Sequence, residues 1–135
     1  MCRVNNVLLI DDEQATNFYN SYVIEEMRFA KNIMVVLNGK EALSYLQCQE
    51  EHANRDENCT CPDLIFLDLN MPVMNGFDFL EAFEAMDESK RDKVKIYILS
   101  SSDHSVDHFK TSLFKSVTGY LTKPLTEEVL SGLAL

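Results

Sequence analysis

Val7-Leu8-Leu9-Ile10-Asp11-Asp12-Glu13 decides the fold, because four consecutive apolar residues run straight into three carboxylates. A short unbroken apolar run bounded by polar residues reads as a strand buried on both faces. The pattern repeats outward from there. Ile33–Leu37 is closed by Asn38-Gly39, and Leu64–Leu67 ends at Asp68. Ile96–Leu99 ends at Ser100-Ser101-Ser102, and Gly119–Leu121 ends near Lys123-Pro124. Between these runs, apolar residues recur at helical spacing: Phe18, Tyr22 and Met27; Ala42, Leu43 and Leu46; Phe77, Leu80, Phe83 and Met86; Val106, Phe109 and Leu113. Thr126 is placed to cap a short final helix. Five strands alternating with five helices make an α/β domain, a parallel sheet with helices on both faces.

The 135 residues fit one domain, 1–135, without repeat or linker. The polar stretch Gln47–Pro62 is too long for an ordinary connection and reads as a surface insertion. Met1–Asn6 is polar and unlike a secretory leader, and no apolar stretch approaches the roughly 18 residues of a membrane helix. The expected location is therefore the cytoplasm, where the four cysteines are reduced thiols. A net charge of −10 argues against nucleic acid as a direct partner and suits basic partners or bound cations.

In an open parallel sheet, ligands bind beyond the carboxyl ends of the strands. Those ends deliver Asp11, Asp12 and Glu13, then Asp68 with Asn70 two residues on, then Ser100, then Lys123. Carboxylates gathered at one edge repel one another, and a hard cation such as magnesium relieves that repulsion through oxygen ligands. A lysine and a hydroxyl opposite the metal suit the remaining oxygens of a phosphoryl group. The free carboxylate can then act as nucleophile and form an acyl phosphate. Each piece alone has a plainer reading: Asp11-Asp12 as helix caps, Asp68 as a turn residue, the serines as a helix start, Lys123-Pro124 as loop punctuation. Their joint placement at four strand ends is what points to chemistry.

At these residues the sequence resembles the receiver domain of two-component response regulators, of the stand-alone, chemotaxis-protein-like kind. The matching pieces are Leu8-Leu9-Ile10-Asp11-Asp12, Leu67-Asp68-Leu69-Asn70-Met71-Pro72 with Asn75-Gly76, Ile98-Leu99-Ser100, and Gly119-Tyr120-Leu121-Thr122-Lys123-Pro124. The resemblance implies a flavodoxin-like (βα)5 domain with strand order 2-1-3-4-5. It implies Asp68 as phosphoacceptor, charged by a sensor histidine kinase or phosphotransfer protein. Asp11, Asp12 and Asp68 would hold Mg2+ with the backbone carbonyl of Asn70, and Lys123 would pair with the phosphoryl oxygens through a cis Lys–Pro step. Ser100 would be the switch hydroxyl and Tyr120 the aromatic that turns inward with it. Counting back from Lys123 favours Ser101 instead. Such a domain catalyses its own phosphorylation and slow dephosphorylation but is no turnover enzyme. It signals by binding a downstream protein, and members of the family pair through the face of the fourth helix, fifth strand and fifth helix.

Other signals weigh less. Cys48, His52, Cys59 and Cys61 lack the spacing of a zinc module. His104 and His108, with Asp103 and Asp107, read as a solvated helix face, and Phe77, Phe83 and Met86 as core. A haloacid-dehalogenase-type phosphohydrolase would want an Asp at position 70, where this chain has Asn70. A flavin carrier would want a Ser/Thr/Gly-rich loop in place of Asp11-Asp12-Glu13.

Overall fold

The computed structural model describes residues 3–52, 62–71, 73–86, 92–101 and 105–133. Strands β1 (Val4–Ile10), β2 (Ala30–Val36), β3 (Leu64–Leu67), β4 (Lys95–Ser100) and β5 (Val117–Thr122) alternate along the chain with five helices. These are α1 (Gln14–Glu26), α2 (Gly39–His52), α3 (Gly76–Glu84), α4 (Ser105–Ser112) and α5 (Glu127–Ser131). All strand pairings are parallel, and the order is β2-β1-β3-β4-β5. The alternation and the sheet type are those the apolar runs imply.

Successive strand residues point to opposite faces, so a strand covered on both sides needs apolar residues at both parities. Leu8, Ile10, Ile65, Leu67, Ile96 and Ile98 pack toward Ala42 and Leu46 of α2 and Phe79, Leu80 and Phe83 of α3. Val7, Leu9, Leu64, Phe66, Tyr97 and Leu99 pack toward Val23 and Ile24 of α1 and Leu130 of α5. Each fully buried side chain of this size contributes about 1.5–3 kcal/mol of hydrophobic stabilisation.

Local chemistry sets the helix starts. Asn38 Oδ1 accepts from the Glu41 N–H at 2.9 Å, and Glu41 Oε1 returns the favour to the Leu37 N–H at 3.1 Å. Asn75 Oδ1 caps α3 through the Asp78 N–H, and Thr126 caps α5 through the Val129 N–H, as its position suggested. At the far end of the sheet, Arg3 donates to the carbonyls of Leu130 and Leu133 at 2.9 and 2.6 Å, with its guanidinium over the Phe29 ring.

Several sequence expectations move. β1, β2 and β5 begin two to three residues earlier than their apolar runs, because ladder hydrogen bonds continue through polar residues such as Asn6 and Asn32. Phe18 and Tyr22 do not line the inner face of α1; they are exposed, and Asn17, Asn20, Val23 and Ile24 face inward. Phe109 and Leu113 are likewise exposed, and Thr111 is buried among the described side chains of α4. Phe83 is core, while Phe77 and Met86 are half-buried against it. Helix α2 runs through Gln47–His52, so the first part of the expected insertion is helical. Residues 53–61, with Cys59 and Cys61, lie outside the described residues, as do Pro72, Ser102, Asp103 and His104 and the side chains of Cys48, His52 and Val106.

Candidate functional site

The strand ends carry the site, and the backbone holds them in register. The Asp11 N–H donates to the Val36 carbonyl at 3.2 Å, and the Asp68 N–H donates to the Ile10 carbonyl at 2.9 Å. Ladder bonding thus runs one residue past β1 and β3, and both aspartates emerge side by side. Asp11 and Asp68 are buried and Asp12 is exposed. One carboxylate oxygen from each lies within 4.8 Å of the others. Glu13 occupies the N-cap position of helix α1 without a side-chain cap hydrogen bond, so neither aspartate is the N-cap residue. Asp11 Oδ1 accepts from the Glu13 N–H at 2.9 Å, which turns the chain and leaves Oδ2 free for other contacts.

Lys123 supplies the opposing charge. Its N–H donates to the Ser100 carbonyl at 2.6 Å, fixing the start of the β5–α5 loop, and the Lys123–Pro124 peptide is cis. Its Nζ donates to Asp11 Oδ2 at 2.6 Å and stands 3.6 Å from Asp68 Oδ1. Burial pushes the Asp68 pKa up to about 6, with the Asp11 charge adding to the shift and Lys123 and the Asn70 N–H opposing it. Burial alone would lower the Lys123 pKa, but the hydrogen bond to Asp11 and the charges of Asp68 and Asp11 hold it above the ordinary lysine value. Three clustered carboxylates with one ammonium leave an excess of negative charge. Hard oxygen donors so placed fit a divalent cation of the magnesium type.

The loop after Asp68 folds back on itself. The Gly76 N–H donates to the Leu69 carbonyl at 3.0 Å, and a Cβ at Gly76 would stand 2.7 Å from the Asp68 carbonyl oxygen. Only glycine permits that approach. Val73, in the same loop, holds φ at 72°.

Ser100 closes β4 and is fully buried, whereas Ser101 is exposed. Ser100 pairs with Thr122, and Ile98 with Tyr120. Ile98 and Tyr120 share the α2–α3 side of the sheet, and strand alternation puts Ser100 on that side too. Ser101 instead lines an open crevice of about 350 Å³ with Thr16, Tyr19, Asn20, Lys123 and Pro124. Tyr120 is half-buried, and the His108 ring packs against it at 4.8 Å between centroids. Asn70 is exposed, and its backbone N–H reaches the Asp68 carboxylate.

The structure therefore brings together Asp11, Asp12, Asp68 and Lys123, and sets Ser100 and Tyr120 on adjacent strands. Sequence reasoning passed over Asn17, whose Nδ2 donates to the Asp11 carbonyl at 2.8 Å. The signal for it was present: asparagines at i and i+3 on a helix whose other turns place apolar residues there.

Comparison with known proteins agrees with this geometry. A family model described as the response regulator receiver domain matches residues 7–134. The response regulator Rcp1 of Synechocystis sp. is 30% identical over 117 residues, covering 87% of this chain and 75% of that protein. A crystal structure of a two-component response regulator from Cytophaga hutchinsonii matches with a TM-score of 0.84 at 29% identity, over 96% of this chain and 92% of the other. The phosphorylated cyanobacterial phytochrome response regulator RcpA matches with a TM-score of 0.73 at 26% identity, over 94% and 86% of the two chains.

Proposed function

This chain belongs to the response regulator receiver family, and on that premise we propose that Asp68 is its phosphoacceptor. Receiver domains are signalling domains of two-component systems that take phosphate from histidine kinases, not turnover enzymes. One observation carries the assignment. Asp68 is a buried carboxylate at the end of the central strand, clustered with Asp11 and Asp12, and the Lys123 ammonium that bonds Asp11 stands 3.6 Å from it.

The reaction needs little covalent work from the protein. An Asp68 oxygen attacks phosphorus, the P–N bond of the donor phosphohistidine breaks, and the leaving imidazole takes up a proton. Asp11, Asp12 and Asp68, with the Asn70 carbonyl, would hold magnesium, which when bound neutralises charge on the phosphoryl oxygens. Lys123 would release Asp11 and pair with a phosphoryl oxygen. Ser100 would donate to another, and Tyr120, on the same side of the sheet, would follow it inward. That shift favours one of two packings of α4, β5 and α5, the face read here as the docking surface for a downstream protein or a second copy. The whole of 1–135 is read as one such unit, residues 47–62 as a surface addition to it.

Intact mass after incubation with Mg2+ and acetyl phosphate tests the assignment. One added phosphoryl group is expected on wild type and none on Asp68→Asn. A modified Asp68→Asn protein, or an unmodified wild type, would sink it. Ser100→Ala should accept the phosphoryl group yet fail to shift the Tyr120 ring in NMR spectra, while Ser101→Ala shifts it normally.

A further inference from the structure

Helix α4 rests lightly on the sheet. Phe109 and Leu113 are exposed, and Thr111 is buried among its described side chains. Two other side chains reach sideways from the helix. Lys110 Nζ stands 5.8 Å from the centre of the Phe77 ring, at the start of α3. The His108 ring meets Tyr120 of β5, with the centroids 4.8 Å apart and the planes inclined by 36°. The buried Thr111 hydroxyl donates to the His108 carbonyl at 3.0 Å, so the anchor of the helix is tied to the residue whose ring meets Tyr120.

Tyr120 packs against the α2–α3 core, while His108 is exposed. A Tyr120 ring that turns inward therefore moves away from His108 and gives up the contact. How firmly the contact holds depends on charge. A neutral imidazole offers tyrosine ring packing alone, whereas an imidazolium within about 6 Å of the ring centre adds a cation–π attraction. Histidine is the side chain whose ordinary charge change falls between about pH 5 and 8. The neighbouring elements bring few charges. On α4 itself stand Asp107 and Lys110, and β5 carries no charged residue, Tyr120 being its titratable one. Helix α3, which Lys110 reaches, carries Asp78, Glu81 and Glu84. Of these, Glu84 is engaged by the N–H and hydroxyl of Ser116 at 2.9 and 2.8 Å.

We propose that His108 is a positioning residue for the switch aromatic: its ring holds Tyr120 in the unphosphorylated packing, and the protonated ring holds it more firmly. This rests on the reading that Asp68 takes the phosphoryl group and that Tyr120 then turns inward. Phosphorylation draws on the fraction of molecules whose Tyr120 has left His108, and a stronger hold makes that fraction smaller. The response to a phosphodonor is thereby weighted by pH through a residue remote from the carboxylates.

The test follows the full chain between about pH 5.5 and 8 in wild type, His108→Phe and His108→Ala. Phenylalanine keeps an aromatic ring that never takes up a proton, and alanine removes the ring. Both replace an exposed side chain, and His52 and His104 stay in place. In NMR spectra of the unphosphorylated wild type, the Tyr120 ring signals should move with the His108 titration, and in both variants that movement should vanish. With Mg2+ and acetyl phosphate, phosphoryl uptake by His108→Phe relative to wild type should rise about 2- to 5-fold from the top of that range to the bottom, the weight of one exposed cation–π contact. The titration of Asp68 is common to both proteins and cancels in the ratio. A ratio that stays flat across the range makes the contact simple packing and overturns this inference alone. A wild type that takes up no phosphoryl group overturns the reading of Asp68 and this inference together.

Discussion

Val73 holds φ at 72° although its side chain is β-branched and 78% exposed. The left-handed region costs an L-residue about 1–2 kcal/mol, and asparagine tolerates it best after glycine. With little packing to lose, Val73→Asn should raise stability by about 1 kcal/mol in urea unfolding. Asp68 gives a second residue-level prediction, for the metal-free protein. Its folded pKa of about 6 lies above the ordinary 3.8, so protonation favours the folded state. The stabilising contribution is complete below the ordinary value and is lost as pH rises through the folded one. Asp68→Asn should therefore match wild type near roughly pH 4 and exceed it by about 2–3 kcal/mol near neutrality. Thermal melts across that range read the difference, and a pH-independent gap would refute the cause assigned. The placement of Asp68 was legible in the sequence because it ends an apolar run, as the other strand-end polar residues do. The backbone of Val73 was not, since nothing in a valine announces a positive φ.

Among the elements, α5 has only five helical residues, and Arg3 holds it from the opposite end of the chain. Charge-assisted bonds to terminal carbonyls, together with the Phe29 ring contact, are worth about 1 kcal/mol at this exposed position. Arg3→Ala should cost about that much and speed amide exchange at Leu130 and Leu133, without altering exchange in β3. The strands were legible because doubly covered strands must be apolar at both parities. Helix faces were less so. On α1 and α4 the conspicuous aromatic and leucine residues point to solvent, while asparagine and threonine point in. A period count assigns the apolar stripe to the core and has no access to which face the strand-end site needs polar. The Arg3 tie joins residues 127 or more positions apart, beyond the reach of any local pattern.

At the scale of the whole molecule, β3 is the middle strand of five, with β1 on one side and β4 on the other. The order of the chain along the sheet reverses beside it, so residues from four strand ends converge on one place. That convergence was readable in advance, since every contributor follows an apolar run. The partnership within it was not, because Lys123 sits closer to Asp11 than to Asp68. This arrangement makes Lys123 a resident placeholder, an ammonium already bound to Asp11, one of the carboxylates proposed to hold a dication. Under that proposal, metal uptake would be an exchange of one cation for another rather than the filling of a vacancy. Lys123→Met should bind Mg2+ several-fold more tightly in calorimetry, yet lose about 1–3 kcal/mol of metal-free stability by stranding Asp11. By keeping the lysine, the protein would trade affinity for reversibility: the proposed site would surrender a metal more readily, and the ammonium eased from Asp11 would already be at hand for an arriving phosphoryl group.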